Sequence, residues 1–441
     1  MTDILTGLKV FVRTFGCQMN ENDSEHIAGV LVRAGAGQAD RPEDADIVVV
    51  NTCAVREKSE EKLYSYLGRL SSLKKKKPFL LGVAGCVAQV QKSDLFKKRP
   101  FVDFVVGPDN YLELPAMIKT AAEAPSVLTD WGRDWRELGA DATARENAWS
   151  AFVPVMEGCD NFCAYCIVPF SRGREKFRPL PNIIAEVHAA AGAGALEVQL
   201  LGQNVNSYLD PESGLGFAGL LDRVCAVPGV EWVRFITSHP KNFGHEIIGA
   251  MAANPKICRQ LHLPLQSGSS RVLERMNRGY KREDYIALAA RLKSGLPGIL
   301  LSTDIIVGFP GESQEDFEET CALLSQVRFA NIFSFRYSPR PLTAAARIPD
   351  DVPLEVKRRR LVALQDLQKK IQLEVNKSFI GGDVRVLCTG PSVKGGGRYA
   401  GRTEGNQVVN FDSATDPTGR FVTVRITGSG PYSLHGTGSG F

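Results

Sequence analysis

Between residues 159 and 166 the chain places three cysteines, Cys159, Cys163 and Cys166, in a C-x3-C-x2-C pattern. No other stretch constrains the fold as strongly, because three thiols in one short loop must converge. A closed zinc site usually draws on two paired half-sites far apart in sequence, and no fourth Cys or His follows nearby. Soft thiolates bunched this way favour an iron–sulfur cluster. Three thiolates on a four-iron cluster leave one iron open to a substrate or cofactor. A structural zinc knuckle completed by a distant ligand is the alternative.

The rest of the chain must build around that loop. Its 441 residues point to two or three domains. In the first third, strands alternate with helices. Strands are expected over Leu8–Thr14, Asp46–Val50, Phe79–Ala84 and Val102–Val106, with helices over Asn22–Ala34 and Arg56–Leu73. That order means a parallel sheet, whose functional loops gather at the carboxyl ends of the strands. Cys17, Cys53 and Cys86 each stand just past such a strand, beside Gly16, Asn51-Thr52 and Gly85. Three cysteines at equivalent positions favour a ligand set over three separately buried thiols.

Residues 131–147, with a charged run at Arg133–Glu137, are expected to be a linker between a first domain (1–130) and a second (148–377). The second reads as six β/α units. Its strands are expected over Ala151–Val155, Glu197–Leu201, Trp232–Thr237, Gln260–Leu263, Ile299–Val307 and Asn331–Tyr337. Six units fall short of a closed eight-stranded barrel, and the active site should lie at the C-terminal strand ends. The cysteine loop follows the first strand. After Pro353 a long helix runs to Lys377, and then five short strands in residues 378–441 suggest a small β-barrel. The fold class is therefore α/β: a parallel α/β sheet, a partial (β/α)6 barrel and a terminal small barrel.

Several strings make the pattern specific. Thr14-Phe15-Gly16-Cys17-Gln18-Met19-Asn20, Asn51-Thr52-Cys53-Ala54-Val55-Arg56-Glu57-Lys58 and Gly85-Cys86-Val87-Ala88-Gln89 resemble the methylthiotransferases of the radical S-adenosylmethionine superfamily, and within them the MiaB type. The loop around Cys159, with the aromatic Tyr165 before its third cysteine, is similar to that superfamily's cluster loop. Gly401-Arg402-Thr403-Glu404 resembles a TRAM RNA-binding domain. The resemblance implies two 4Fe-4S clusters, on Cys17, Cys53 and Cys86 and on Cys159, Cys163 and Cys166, together with S-adenosylmethionine. It implies cofactor contacts at Tyr165, Gly202, Gln203, Asn204, Ser238 and Gln266.

The basic residues Arg172, Arg174, Lys176 and Arg178 beside the loop could hold RNA phosphates or the cofactor carboxylate, with a solvated charged loop as the alternative. Arg385, Arg398 and Arg402 in the terminal module are candidate RNA contacts, with a structural cap as the alternative. Lys74–Lys77, Lys97-Lys98-Arg99 and His262 read more simply as solvated helix ends and a satisfied core histidine. Cys225, Cys258, Cys321 and Cys388 read as buried thiols.

The implied reaction converts N6-isopentenyladenosine next to the anticodon of tRNA to its 2-methylthio derivative with two S-adenosylmethionine molecules. The implied partners are the tRNA anticodon stem-loop, a reductant such as flavodoxin or ferredoxin, and a sulfur donor system, acting on a monomer. Net charge is only +4, so any RNA-binding surface must be local. Without a signal-like N-terminus or a membrane-length apolar run, a cytoplasmic enzyme is expected. Rival readings are a sister methylthiotransferase acting on threonylcarbamoyl-adenosine or a ribosomal protein, and a non-catalytic iron–sulfur or zinc RNA-binding protein.

Overall fold

A computed structural model describes residues 4–132, 134–136, 144–145, 147–393 and 395–439. The first sheet has six parallel strands: β1 (Lys9–Phe15), β2 (Gly37–Gln38), β3 (Ile47–Thr52), β4 (Leu80–Ala84), β5 (Phe104–Val106) and β6 (Ser126–Leu128). They lie in the order β2-β1-β3-β4-β5-β6. All six residues of β3 are buried, as a central parallel strand covered on both faces requires. Val48 and Val50 pack with Leu63, Leu67 and Leu70 of the helix Glu57–Lys74. Ile47 and Val49 point the other way, to Ile27 and Leu31 of the helix Gln18–Arg33 and to Met117 and Ile118 of the helix Leu114–Ala121. The very short β2 and β6 and the helix Leu114–Ala121 extend the alternation beyond what the sequence pattern shows.

The second unit opens with β7 (Ser150–Pro154), then a two-residue-per-arm hairpin, β8 (Met156–Glu157) against β9 (Lys176–Phe177), which closes the neck of the cysteine loop. The strands β10 (Glu197–Leu201), β11 (Trp232–Phe235), β12 (Gln260–His262), β13 (Leu300–Val307) and β14 (Asn331–Arg336) follow. They form two three-stranded parallel sheets, β11-β10-β7 and β12-β13-β14, joined through a single parallel bridge from Val233 to Ile257. Helices cover the outer face of the two sheets. Most of the expected linker lies outside the described residues, including Arg133 and Glu137. Of its described part, Arg136 pairs with Glu113 at 2.6 Å and Arg145 with Glu186 at 2.9 Å.

The helix Leu354–Lys377 runs across the outside of β14. It leads to a closed barrel of β15 (Asp383–Pro391), β16 (Tyr399–Thr403), β17 (Val408–Asp412), β18 (Phe421–Ser429) and β19 (Leu434–Ser439). This small barrel is docked under the N-terminal ends of β10 and β11. Arg234 donates to the carbonyls of Thr403 and Glu404, both at 2.7 Å, and to Glu197 at 2.5 Å. The Trp232 ring meets Phe421 edge to face, 4.6 Å between centroids. The end of the larger barrel opposite the cysteine loop is thus covered, and its C-terminal strand ends stay free.

Candidate functional site

The register of the first sheet sets its three strand ends level: Phe15 pairs with Thr52, and Asn51 with Ala84. Cys17, Cys53 and Cys86 therefore emerge side by side. Cys17 precedes the helix Gln18–Arg33 and Cys86 opens the helix Cys86–Gln91. The first helix starts four positions before the expected Asn22, because Cys17 and Asn20 close its first turn: Asn20 Oδ1 lies 3.4 Å from both the backbone N–H and the thiol of Cys17. Gly85 takes φ +86, and a Cβ there would stand 2.2 Å from Asn51 Oδ1. Only glycine lets the chain turn Cys86 back over the strand end.

The thiols differ in acidity. Cys53 donates to Cys17; with help from Asn20, Met19 and Arg172 and against burial, this pulls Cys17 down to about 6. The same hydrogen bond, with burial, pushes Cys53 well up. Burial also raises Cys86, opposed by the charge of Arg172.

The second trio sits at the C-terminal end of β7. Gly158 takes φ +79, and a Cβ there would fall 2.0 Å from the Arg174 carbonyl. The Cys159 amide donates to the Gly173 carbonyl at 3.2 Å. Asn161 Nδ2 reaches Cys159 Sγ at 3.3 Å, and Arg278 Nη1 reaches Cys163 Sγ at 3.3 Å. Burial holds Cys159 up and pushes Cys166 up to about 12, with Cys163 adding to both.

The expected cofactor residues ring this loop. Gln203 Oε1 accepts from the Gly158 amide at 2.5 Å, and Asn204 Nδ2 donates to Glu175 at 3.0 Å. A Cβ on Gly202 would meet Met156 Sδ at 2.7 Å, so the strand end lies directly on the loop's neck. Tyr165 Oη accepts from Arg278 at 3.4 Å. Gln266 is buried with φ +76 and bridges to Ile305. Asn204 Oδ1, Ser238 Oγ and His239 Nε2 are buried with no partner. Burial first, then the charges of Arg278 and Lys241, hold His239 down to about 2, so it is neutral.

Those orphaned polar atoms fit a polar cofactor, and two sets of three soft thiols fit iron–sulfur clusters. Among the described residues, no three His, Cys, Asp or Glu side chains close on a single metal ion. A four-iron cluster is a larger body than one ion and takes thiols set wider apart.

Arg172 lies elsewhere than expected for an RNA contact. Its side chain is 3% exposed, with Nε on Cys86 Sγ at 3.2 Å, Nη1 on Asp23 at 3.1 Å and on Glu157 at 3.3 Å. It fastens the segment after Cys166 to the first trio. Lys176 is likewise buried on Asp109 at 2.5 Å, and Arg178 on Glu186. A phosphate cannot reach charges already enclosed with carboxylates.

Of that run only Arg174 is exposed, paired with Asp160 and 5.2 Å above the ring of the exposed Phe162. Arg398 and Arg402 are exposed on the small barrel. Arg385 lies 3.6 Å over the Phe421 ring and pairs with Glu231, so it fastens the barrel to its neighbour.

Lys74 pairs with Asp103, Lys97 with Asp94, and Arg99 covers Tyr64. His262 bonds Ser302 at 3.1 Å and Asp304 at 3.3 Å. Cys225, Cys258 and Cys388 are buried, and Cys321 is half-buried. Residues the sequence reading passed over are Arg278, Asp23, Glu157 and Glu175. The one local signal was the Asn277-Arg278-Gly279 turn before Tyr280.

Residues 9–107 match an uncharacterized protein family, UPF0004; residues 153–324 match the radical SAM superfamily; residues 377–437 match the TRAM domain. A tRNA-2-methylthio-N(6)-dimethylallyladenosine synthase of Geotalea uraniireducens is 48% identical over 97% of this chain and 98% of its own length. Its counterparts in Chlorobium luteolum and Geobacter metallireducens are 47% and 46% identical over 98% of this chain and 98% and 99% of theirs. Among solved structures, the radical S-adenosylmethionine methyltransferase TsrM of Kitasatospora setae, with cobalamin and a [4Fe-4S] cluster bound, is similar at TM-score 0.56 and 14% identity, over 78% of this chain and 77% of that one. The cobalamin-dependent radical enzyme OxsB is similar at TM-score 0.53 and 13% identity, over 82% and 56%. These last two concern the fold alone. With full-length relatives at such identity and all three parts matched, the chain belongs to the family of tRNA-2-methylthio-N(6)-dimethylallyladenosine synthases.

Proposed function

We propose that the protein is a radical S-adenosylmethionine methylthiotransferase that converts N6-isopentenyladenosine next to the anticodon of tRNA to its 2-methylthio derivative. In this reading it uses two four-iron clusters and two S-adenosylmethionine molecules. The observation that carries it is the pairing of two cysteine trios, each at the carboxyl edge of its own parallel sheet and joined by the short segment Cys166–Arg172. The printed names of the relatives support the substrate.

When bound, the cluster and cofactor at Cys159, Cys163 and Cys166 would supply an electron and an adenosyl radical, and the cluster at Cys17, Cys53 and Cys86 the sulfur. The chain's own residues do the rest. Hydrogen bonding from Cys53 and the nearby charge of Arg172 favour the thiolate form of Cys17, the form in which it would serve as a soft ligand. Arg172 sits against Cys86 and ties the second loop to the first trio. Asn204, Ser238 and His239 offer unpartnered buried polar atoms to the cofactor's polar groups, and Gln203 fixes the loop's neck. The helices around the barrel and the small barrel beneath it close its sides and its far end, so the cofactor would be approached only from the C-terminal strand ends, and the radical step needs that approach filled by substrate.

Arg174 over Phe162 at the loop's rim, and Arg398 and Arg402 on the small barrel, would meet an anticodon stem-loop, whose unstacked bases suit recognition. A flavodoxin- or ferredoxin-like reductant and a sulfur donor system would serve a monomer in the cytoplasm. No described helix is long and apolar enough to cross a membrane.

The test is liquid chromatography–mass spectrometry of tRNA nucleosides from a strain lacking the gene. Loss of the 2-methylthio-isopentenyl nucleoside, with isopentenyladenosine accumulating, is expected. An unchanged level sinks the proposal, and loss of a methylthio-threonylcarbamoyl nucleoside moves it to the sister group.

A further inference from the structure

The turn Met276–Tyr280, which follows the helix Ser270–Arg275, grips the cysteine loop through backbone and side chain. The Ala164 amide donates to the Met276 carbonyl at 2.8 Å. Asn277 Nδ2 donates to the carbonyls of Phe162 at 3.0 Å and Asn161 at 3.4 Å. Phe162 and Asn277 both take left-handed conformations, at φ 46 and 56. Such conformations cost about 1–2 kcal/mol in a non-glycine residue, so the grip holds the loop in a shape it would not keep alone.

Arg278 completes this turn. It is 5% exposed. Its N–H groups go to Cys163 Sγ at 3.3 Å, Tyr165 Oη at 3.4 Å, Tyr280 Oη at 3.0 Å and the Pro264 carbonyl at 2.7 Å. Among the described residues no carboxylate lies within ion-pair distance of it. Arg172, the other arginine on a cysteine sulfur, differs in this respect: Asp23 and Glu157 are both paired with it. An arginine stays charged when buried, and a buried cation without a counter-charge is strongly unfavourable. Arg278 therefore calls for negative charge at the loop, and among the described residues the group in contact with it that can bring that charge as a cluster ligand is the Cys163 thiol.

We propose that Arg278 is the positioning residue of this loop: its unneutralised guanidinium, donating to Cys163 Sγ, raises the reduction potential of a cluster held by Cys159, Cys163 and Cys166. A nearby positive charge favours the state that has taken up the electron, here delivered by a low-potential flavin or iron–sulfur protein. Arg172 does this far less for the other trio, because its charge is spent on two carboxylates. The inference rests on the reading that Cys159, Cys163 and Cys166 hold a four-iron cluster; if that reading fails, the wild-type chain shows no signal that responds to S-adenosylmethionine.

The experiment is a potentiometric titration of the full-length reconstituted protein followed by electron paramagnetic resonance. The loop cluster is recognised as the signal that changes when S-adenosylmethionine is added. Arg278→Gln should shift only that midpoint to more negative potential, by at least tenfold in the reduction equilibrium, or about 59 mV for one electron. Arg278→Lys keeps the charge and should stay close to wild type. Loss of the loop iron in Arg278→Gln but not in Arg278→Lys also supports a charge role. The proposal is overturned by an unmoved midpoint in Arg278→Gln, by equal shifts in both variants, or by loss of the loop iron in both.

Discussion

Replacing Arg172 with methionine removes a cation that serves both the first cysteine trio and the second loop. The side chains of Arg172 and Asp23 are 3% and 4% exposed, and that of Glu157 is 18% exposed. Glu157 keeps a second cation, Lys176 at 3.9 Å, so its loss is partial. Among the described residues Asp23 keeps only a long hydrogen bond from Asn20 at 3.4 Å. Leaving one buried carboxylate without its partner costs about 3–5 kcal/mol. The contact joins residues 149 positions apart, Asp23 in the helix Gln18–Arg33 and Arg172 just past the helix Val168–Ser171, so the cost falls on the junction between the first unit and the second.

Unfolding of so large a chain is not two-state, and a single global free energy would blur the effect. The assay is hydrogen exchange on the apo protein, reading the opening free energy of amides in Gln18–Arg33 and Val168–Ser171. Arg172→Met should lower it by about 3 kcal/mol. Adding Asp23→Asn, which removes the stranded charge at constant shape, should restore at least half of that. A single variant within about 0.5 kcal/mol of wild type would refute the reasoning, since that is the range of an ordinary surface substitution. So would a double variant worse than the single one.

Gly158→Ala puts a Cβ 2.0 Å from the Arg174 carbonyl at a backbone angle of φ +79. Bound iron should fall from about eight to about four per chain by colorimetric assay, with the first trio still loaded; full iron content would show that the turn is not needed. Asp316 gives the chain an acid limb. Burial opposes its charge, but Arg271, Ser269 and Ser313 outweigh it and hold the carboxyl at about 2, below its ordinary value of 3.8. Its contribution is complete above about pH 4 and disappears as pH falls through about 2. Because Arg271 is half exposed, the stake is about 1–2 kcal/mol, and Asp316→Asn should flatten the fall in thermal midpoint over that window. The double variant Arg398→Ala/Arg402→Ala should reduce the slope of log affinity against log salt for an anticodon stem-loop by about 1.4, two single-strand phosphate contacts. An unchanged slope removes both residues from the RNA surface.

The sequence made the strand ends readable, and with them both cysteine trios, because hydrophobic runs such as Ile47–Val50 mark where a buried parallel strand stops. It also showed the small barrel through its glycine turns. What it hid were contacts between distant positions. Arg172 looked like part of a basic loop, yet Asp23 from the first helix meets it in space. Arg278 sat in an unremarkable polar turn until the fold brought it to Cys163, 115 positions earlier. The start of the first helix was misplaced because Gln18-Met19-Asn20-Glu21 is polar like a loop, and only the Cys17–Asn20 cap shows that it is helical. A charge's role depends on its partners, and a one-dimensional pattern does not list them.

The central claim is that the two trios do different jobs. It is tested most directly by anaerobic incubation of the reconstituted Cys17→Ala variant with reductant, S-adenosylmethionine and isopentenylated anticodon stem-loop RNA. Mass spectrometry follows both 5′-deoxyadenosine and the methylthio nucleoside. The account predicts that the variant still forms 5′-deoxyadenosine but no methylthio nucleoside, whereas Cys163→Ala forms neither. Methylthio nucleoside from the Cys17→Ala variant at the wild-type level would contradict it.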